Sequence, residues 1–193
     1  MTARAPSTQS EVPRQRSPIV YLVDDDPPFL RALSRLLSAA EYQVELFESA
    51  EEFLTCPRSD APGCAVLDLQ MPGHGGLELQ EALARAEEPL PVIFLTGHGD
   101  VSSSVHAMKR GAVDFLTKPF RGDELLDAVQ RALGRDAAAR EARRQKREWG
   151  ARYKRLSPRE RAVFALVVRG LPNKQVPTRS ASASARSKRI AAR

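Results

Sequence analysis

The chain has 193 residues, 42% of them hydrophobic, and a formal net charge of +6. This length suggests one domain with a substantial extension, and no apolar run approaches the roughly 18 residues of a membrane span, so we predict a soluble protein with no membrane partner. The spacing of the two cysteines, Cys56 and Cys64, fits neither a zinc site nor a disulfide framework, which favours a reduced, cytoplasmic setting.

Charge is distributed unevenly along the chain. Residues 18–133 contain 19 Asp and Glu against 9 Lys and Arg, whereas residues 134–193 contain 4 against 18. The basic C-terminal part predicts a polyanionic partner such as DNA, because Lys and Arg bind nucleic acids chiefly by neutralising phosphates. A solvated charged helix explains the same charge equally well.

The N-terminal residues and the strands come first in chain order. Residues 1–17 are rich in Pro, Ser, Thr, Gln and Arg without the apolar stretch of a signal peptide, so we expect a disordered leader. From Ile19, short apolar runs alternate with amphipathic stretches, which is typical of βαβ units around a parallel sheet. The five predicted strands are Ile19–Val23, Gln43–Phe47, Cys64–Leu67, Val92–Leu95 and Val113–Leu116. The second is polar and suits a sheet edge.

Helices are predicted between these strands because apolar residues recur there at helical spacing. The sets are Phe29, Leu33, Leu36 and Leu37; Leu77, Leu79 and Leu83; Val101, Val105 and Met108; and Leu125, Leu126 and Val129. Each set gives its helix one apolar face. The predicted fold class is therefore α/β, with a five-stranded doubly wound parallel sheet.

A long, basic helical linker is predicted over residues 134–155, although Gly134 and Gly150 could interrupt it. A new helix then begins, with Ser157 as N-cap, Pro158 at the first helical position and Glu160 completing a capping box. Gly170 is expected to end it. The residues from Ser180 to Arg193 are mainly Ser, Ala and Arg and cannot bury a core face.

Polar residues gather where the predicted strands end, which is where functional groups collect in open α/β sheets. They are Asp24, Asp25 and Asp26 after the first strand, Asp68 after the third, Thr96 after the fourth and Lys118 after the fifth. Neighbouring carboxylates repel one another unless a hard cation bridges them, which predicts a Mg²⁺ pocket. Taken alone, the three consecutive aspartates could instead stabilise a helix N-terminus.

Four segments at these strand ends resemble, in order, the motifs of response regulator receivers joined to LuxR-type DNA-binding domains, the FixJ-like group. They are residues 20–27 (VYLVDDDP), 66–73 (VLDLQMPG), 94–101 (FLTGHGDV) and 112–120 (AVDFLTKPF). The resemblance covers roughly residues 18–133. It implies a receiver domain with a flavodoxin-like arrangement and a sensor histidine kinase as partner.

The resemblance also implies roles for individual residues. Asp68 would accept a phosphoryl group; Asp25, Asp68 and the backbone carbonyl of Gln70 would bind Mg²⁺, with Asp24 acting through a water molecule. Thr96 and Lys118 would each hold a phosphoryl oxygen, which agrees with phosphoryl transfer being mainly positioning and charge stabilisation. No separate organic cofactor and no enzymatic turnover are expected beyond self-catalysed phosphoryl acceptance and slow autodephosphorylation.

Two further positions match the receiver pattern. Pro119 resembles the proline whose preceding peptide bond is cis and directs Lys118 into the pocket. Phe115 matches an aromatic switch that would move with Thr96, although plain core packing also explains it. The switch would shift residues 101–120 and either expose a face for a homodimer or release the C-terminal tail. His74, His98 and His106 form no ligand set and receive no catalytic role.

Residues 156–176 resemble the opening of a LuxR-type helix-turn-helix domain, and the resemblance stops at Val176. Residues 177–193 then form a basic tail with no recognition helix. Back-translated with GC-rich codons and read one nucleotide earlier, this tail gives ADALGISERTVKAHR, a plausible LuxR-type turn and recognition helix. We therefore predict a one-nucleotide deletion near codon 176 in the gene or its assembly.

Together these features predict a transcription-controlling response regulator with impaired DNA binding. The basic tail would still contact DNA weakly and without sequence specificity, because it retains phosphate-binding residues but no base-reading helix. The alternative is a receiver that acts alone, as a phosphate sink or protein-interaction module.

Overall fold

The computed structural model describes residues 17–73, 75–86, 88–97 and 101–168, and of residues 101–103 and 166 the backbone alone. Strands and helices alternate along this part of the chain. In order they are β1 (Ile19–Val23), α1 (Pro27–Ala39), β2 (Gln43–Phe47), α2 (Ala50–Thr55), β3 (Gly63–Asp68), α3 (Gly76–Arg85), β4 (Val92–Thr96), α4 (Val101–Lys109), β5 (Asp114–Thr117), α5 (Gly122–Arg155) and α6 (Pro158–Val168).

The five strands form one parallel sheet in the order β2-β1-β3-β4-β5. This confirms the predicted α/β class and the edge position of the polar second strand. The bounds of β1 and β2 are as predicted. β3 is one residue longer at each end, β4 extends to Thr96, and β5 both begins and ends one residue later than expected. A parallel sheet brings all the strand C-termini to one edge, so the residues that end β1, β3, β4 and β5 become neighbours.

The sheet separates two hydrophobic cores, because successive strand residues point to opposite faces. Tyr21 belongs to the core that includes residues of α2, α3 and α4, whereas its neighbour Val20 belongs to the core that includes residues of α1 and α5. The same alternation occurs in β4, where Phe94 belongs to the first core and Ile93 to the second. Helices therefore cover both faces, as a doubly wound sheet requires.

Helix α5 runs without interruption through Gly134 and Gly150, although each glycine costs about 1 kcal/mol relative to alanine in a helix. Buried contacts hold its middle in place. The carboxylate of Asp136 is almost completely buried and accepts hydrogen bonds from the Gly63 amide (2.9 Å) and from Arg140 Nε (2.6 Å). Arg140 also donates to the Asp60 carbonyl (3.1 Å). Residues at the start of the predicted linker thus pack against the sheet.

The described chain divides into two compact units, with Arg143 the last residue of the first. In the second unit, the predicted capping box at the start of α6 is confirmed. The Ser157 amide donates to Glu160 Oε2 (2.7 Å), and the Glu160 amide donates to Ser157 Oγ (3.3 Å). The ring centroids of Tyr153 and Phe164 lie 5.7 Å apart, in an edge-to-face arrangement.

Several predictions fall outside the described residues. They concern most of the leader (1–16), His74, His98, the end of α6 at Gly170, the second helix-turn-helix segment (170–176) and the basic tail (177–193). The structure does not test the helix-turn-helix segment beyond α6. Cys56 and Cys64, both within the described ranges, are free cysteines. None of the helices there has the length and hydropathy needed to cross a bilayer.

Candidate functional site

The site lies at the C-terminal edge of the sheet. In the β1–β3 register Val23 pairs with Leu67, so Asp24 and Asp68 follow paired positions on neighbouring strands. Carboxylate oxygens of Asp24, Asp25 and Asp68 lie within 4.8 Å of one another. Two predicted metal ligands that directly follow β1 and one that ends β3 are thus brought together.

Asp24 is the most buried of these carboxylates, with a relative exposure of 3%. Its Oδ1 accepts a hydrogen bond from the Asp26 amide at 2.9 Å. Burial raises the pKa of Asp24 above its usual value, although hydrogen bonds from Lys118 and the Asp26 amide oppose this. The protein therefore holds a carboxylate in a position that disfavours its charged form, which a nearby cation would stabilise.

Asp68 is more accessible than Asp24, with 13% of its side chain exposed. Its Oδ1 accepts a hydrogen bond from the Gln70 amide (3.0 Å), and its Oδ2 accepts one from Lys118 Nζ (3.0 Å). Both oxygens are thereby held in a fixed orientation at the end of β3. Gln70, whose carbonyl is a predicted metal ligand, follows only two residues later.

Lys118 reaches the site from the loop after β5. The peptide bond between Lys118 and Pro119 is cis, as the resemblance implied, and the Lys118 amide donates to the Thr96 carbonyl at 2.7 Å. The ammonium group donates to Asp24 Oδ2 (2.7 Å) and Asp68 Oδ2 (3.0 Å). Burial alone would lower the pKa of Lys118, but the hydrogen bonds and the negative charges of the two carboxylates together outweigh it, so the pKa is raised. Lys118 is therefore a cation between two carboxylates.

Phe29 also borders the site, although its sequence pattern indicated only a place on the apolar face of α1. Lys118 Nζ lies over the Phe29 ring, 3.9 Å from the centroid. The ring makes an edge contact with Phe120, with centroids 6.3 Å apart. The sequence did contain one indication that Phe29 lies near the site, because Phe29 falls in the first turn of a helix that begins directly after the carboxylates.

Thr96 and Phe115 lie on adjoining strands, and Phe115 pairs with Phe94, two residues before Thr96. Thr96 ends β4 and is fully buried. Phe115 is partly buried in β5, and its ring centroid lies 6.4 Å from that of Phe94. Their predicted roles, and a movement that links the two residues, remain predictions.

Gly76 is a second residue that the sequence analysis missed. A Cβ atom at this position would lie 2.3 Å from the Asp68 carbonyl oxygen and 3.0 Å from Phe94 Cε1. The Gly76 amide donates to the Leu69 carbonyl at 3.2 Å. Only glycine lets α3 begin this close to the end of β3, so Gly76 supports the backbone that carries Asp68.

This arrangement combines a group of carboxylates that can hold a metal ion with an accessible carboxylate held by a lysine. Hard divalent cations prefer such oxygen ligands. An electrophile with negatively charged oxygens would meet a nucleophilic carboxylate and a positive charge together. The geometry therefore suits acceptance of an anionic group on Asp68.

Comparisons with known proteins agree with this geometry. The sequence profile described as the response regulator receiver domain matches residues 20–130. The chain is similar to Nodulation protein W of Bradyrhizobium diazoefficiens, with 49% identity over 82% of this chain and 70% of that protein. It is also similar to the transcriptional regulatory protein FixJ of the same organism, with 40% identity over 81% of this chain and 77% of that protein. Among solved structures, the response regulator StyR matches with a TM-score of 0.74 and 42% identity, covering 83% of this chain and 81% of the other.

Proposed function

Because this chain belongs to the response regulator receiver domain family, we propose that it accepts a phosphoryl group on Asp68 from a sensor histidine kinase. In this step an Asp68 carboxylate oxygen bonds to phosphorus while the bond between phosphorus and the donor imidazole nitrogen breaks. The imidazole leaves with the electron pair of that bond and takes up a proton. The observation that carries the proposal is the pair of hydrogen bonds from Lys118 Nζ to Asp24 and Asp68.

Lys118 supplies positive charge where the phosphoryl oxygens would lie, and charge stabilisation is the main contribution that a protein makes to phosphoryl transfer. The Gln70 amide orients the Asp68 carboxylate through Oδ1. Thr96 ends the neighbouring strand and would donate its hydroxyl to a phosphoryl oxygen. Each group acts by binding or orientation, so no further nucleophile is needed.

The carboxylates of Asp24, Asp25 and Asp68 fit a Mg²⁺ ion, because their oxygens already converge within 4.8 Å. We propose that Asp25, Asp68 and the Gln70 carbonyl bind the ion directly and that Asp24 supports it through water. Bound Mg²⁺ would supply positive charge that offsets the repulsion between carboxylates and incoming phosphoryl group. The chain's own contribution is to hold three carboxylates in one place.

Phosphorylation of the purified full chain by acetyl phosphate and Mg²⁺ tests this proposal. The protein should take up one phosphoryl group, and Asp68→Asn should abolish uptake, as should chelation of Mg²⁺. Asp127→Asn, which alters an exposed aspartate on α5, is the matched control and should behave as the wild type. If Asp68→Asn incorporates the label as readily as the wild type, Asp68 is not the acceptor.

For the output we propose that phosphorylation shifts residues 101–120 through Thr96 and Phe115 and promotes a homodimer. Val105 and Met108 on α4 are each 46% exposed, which leaves apolar surface available on this face. Light scattering with and without acetyl phosphate tests this. A mass that doubles on phosphorylation supports the dimer, and a mass that stays monomeric contradicts it.

We further propose that the chain is a transcription regulator by ancestry whose specific DNA binding is impaired. The support is the point at which the resemblance to a LuxR-type helix-turn-helix domain stops, at Val176, together with the exposed apolar side chains of α6, Phe164, Val167 and Val168. Weak, salt-dependent DNA binding would then come from basic residues alone. The alternative output is a receiver acting alone as a phosphate sink or interaction module. Specific binding to a target promoter after phosphorylation would exclude that alternative.

A further inference from the structure

We propose that Phe29 is a positioning residue for phosphoryl transfer, which holds the Lys118 ammonium group at Asp68 through a cation–π contact. This inference rests on the proposed function of Asp68. Its basis is the distance of 3.9 Å between Lys118 Nζ and the centroid of the Phe29 ring. Cation–π contacts are effective within about 6 Å of the centroid, so the ammonium lies well inside this range.

The contacts of Lys118 explain why a third partner matters. An ammonium group has three N–H donors. Two sides of Lys118 Nζ face the carboxylates of Asp24 and Asp68, at 2.7 and 3.0 Å, and the Phe29 ring covers a further side. A phosphoryl group on Asp68 would take over part of this bonding. The ring carries no competing acceptor atom, so it can keep its contact with Lys118 throughout.

The ring itself is fixed from two directions. The Phe29 amide donates a 3.2 Å hydrogen bond to Asp26 Oδ1, the N-cap of α1, which holds the backbone beneath the ring. On its other side the ring meets Phe120 edge-on, at an interplanar angle of 79°. Phe120 follows Lys118 by two residues. The Phe29–Phe120 contact thereby joins the helix after β1 to the loop after β5.

Fixing the lysine matters because its four-carbon stem is flexible and its head group strongly hydrated. Only 22% of the Lys118 side chain is exposed. Without the aromatic face, water would gain access to this side of the ammonium, and Lys118 would spend less time aligned with the acceptor oxygen. The expected result is slower phosphoryl acceptance, with the three carboxylates left in place to bind metal.

Phosphorylation rates of full-length variants with acetyl phosphate and Mg²⁺ test this inference. Phe29→Leu should slow acceptance by about three- to tenfold, and Phe29→Tyr or Phe29→Trp should restore most of the rate. Phe53→Leu is the matched control, because Phe53 lies in the other core and should change the rate of the folded protein by less than about twofold. Binding of Mg²⁺, measured by calorimetry, should be the same in Phe29→Leu and wild type.

A fluorinated series separates electrostatics from packing. Replacement of Phe29 by mono-, di- and trifluorinated phenylalanine weakens the negative ring face stepwise with little change in shape, so the logarithm of the rate should fall with each fluorine. A structural role alone would leave the series flat. Equal rates for Phe29→Leu, the fluorinated proteins and wild type would overturn the inference.

Two measurements distinguish failure of the Phe29 inference from failure of the proposed function. If wild type is labelled on Asp68 and Phe29→Leu is labelled as fast, only the inference fails. If Asp68→Asn is labelled like wild type, the proposed function fails.

NMR tests the contact between Phe29 and Lys118 directly. The Lys118 Cε protons should show an upfield ring-current shift that Phe29→Leu abolishes. Absence of that shift in wild type would refute the contact.

Discussion

Gly63 and Asp136 lie 73 positions apart, yet the Gly63 amide donates a 2.9 Å hydrogen bond to the Asp136 carboxylate. Gly63 opens β3 at the edge of the sheet opposite the candidate site, and Asp136 lies in the middle of α5. The bond therefore ties a long helix to a central strand. Arg140 completes the connection by donating to both Asp136 and the Asp60 carbonyl.

Replacement of Asp136 tests this connection. Asp136→Ala should lower the free energy of unfolding by about 3 kcal/mol, because it leaves the Gly63 amide and the Arg140 guanidinium without their buried partner. Asp136→Asn should cost less, since its amide oxygen can still accept from Gly63. Urea denaturation of the full chain measures both, and the exposed Asp127→Asn should stay within about 0.5 kcal/mol of wild type. No loss in Asp136→Ala would contradict the connection.

Gly76 allows a direct steric test beside the acceptor. Gly76→Ala places a methyl group where the Asp68 carbonyl is 2.3 Å away, so it should destabilise the fold by about 2 kcal/mol or more. It should also slow phosphorylation, because α3 and Asp68 must move apart. Gly75→Ala is an adjacent control, since its nearest contact would be 3.9 Å away. Equal stability of the two variants would mean that α3 shifts at no cost.

Tyr21 should make stability fall at alkaline pH. Burial raises the pKa of Tyr21 above its usual value, partly offset by the hydrogen bond that its oxygen accepts from the Ser59 amide. The folded state thus holds the phenol proton more tightly than the unfolded state. The contribution of this pKa difference to the free energy of unfolding is fully present below about pH 10. It is lost as the pH rises through the pKa of Tyr21 in the folded state.

Tyr21→Phe removes this ionisation. The variant should lose about 1 kcal/mol at neutral pH, because the Ser59 amide loses its acceptor. Above about pH 10 its stability should decline less steeply than that of wild type. Denaturation curves measured from pH 7 to 11 (about the range that brackets the phenol) provide the comparison. Parallel curves for the two proteins would show that Tyr21 ionises equally in both states.

Mg²⁺ should stabilise the folded chain through Asp25 and its neighbouring carboxylates. A ligand that binds only the folded state adds about 2.7 kcal/mol when its free concentration is about 100 times its Kd. Mg²⁺ should therefore raise the midpoint temperature of thermal unfolding in wild type, and raise it much less in Asp25→Asn. Asp127→Asn should retain the full shift. An equal shift in Asp25→Asn would place the metal elsewhere.

The coding DNA decides the origin of the C-terminal tail. A one-nucleotide deletion near codon 176 requires codons that encode ADALGISERTVKAHR in the neighbouring frame. Nucleotide sequencing reads these codons directly. Other codons would remove the hypothesis, whereas the required ones predict that a chain with the nucleotide restored binds a specific DNA site.

The sheet was predictable because buried parallel strands consist of continuous apolar runs. The apolar run from Ile19 gave the observed bounds of β1, and the polar segment from Gln43 gave those of the edge strand β2. The start of β5 was off by one residue, because Val113 is as apolar as the strand that follows. The strand ends were placed well enough to bring Asp24, Asp68 and Lys118 into one site.

Long-range contacts explain what the sequence did not reveal. Asp136 and Arg140 lie in a highly charged stretch typical of a solvated helix, yet Asp136 is only 1% exposed. Phe29 has the spacing of a core residue, and its contact with Lys118 depends on a loop 89 positions later in the printed sequence. The local periodicity of the sequence carries no information about such long-range contacts.

The two cores on either side of the sheet mean that closeness along the chain is a poor guide to energetic coupling. Val20 and Tyr21 are adjacent yet belong to different cores, whereas Val20 and Leu125 share one. Truncations of Leu33 and Leu79, from opposite cores, should therefore be nearly additive in a double-mutant cycle, while Leu33 and Leu125 should be non-additive. We therefore expect substitutions in one core to affect the stability of the other core only through the sheet that separates them.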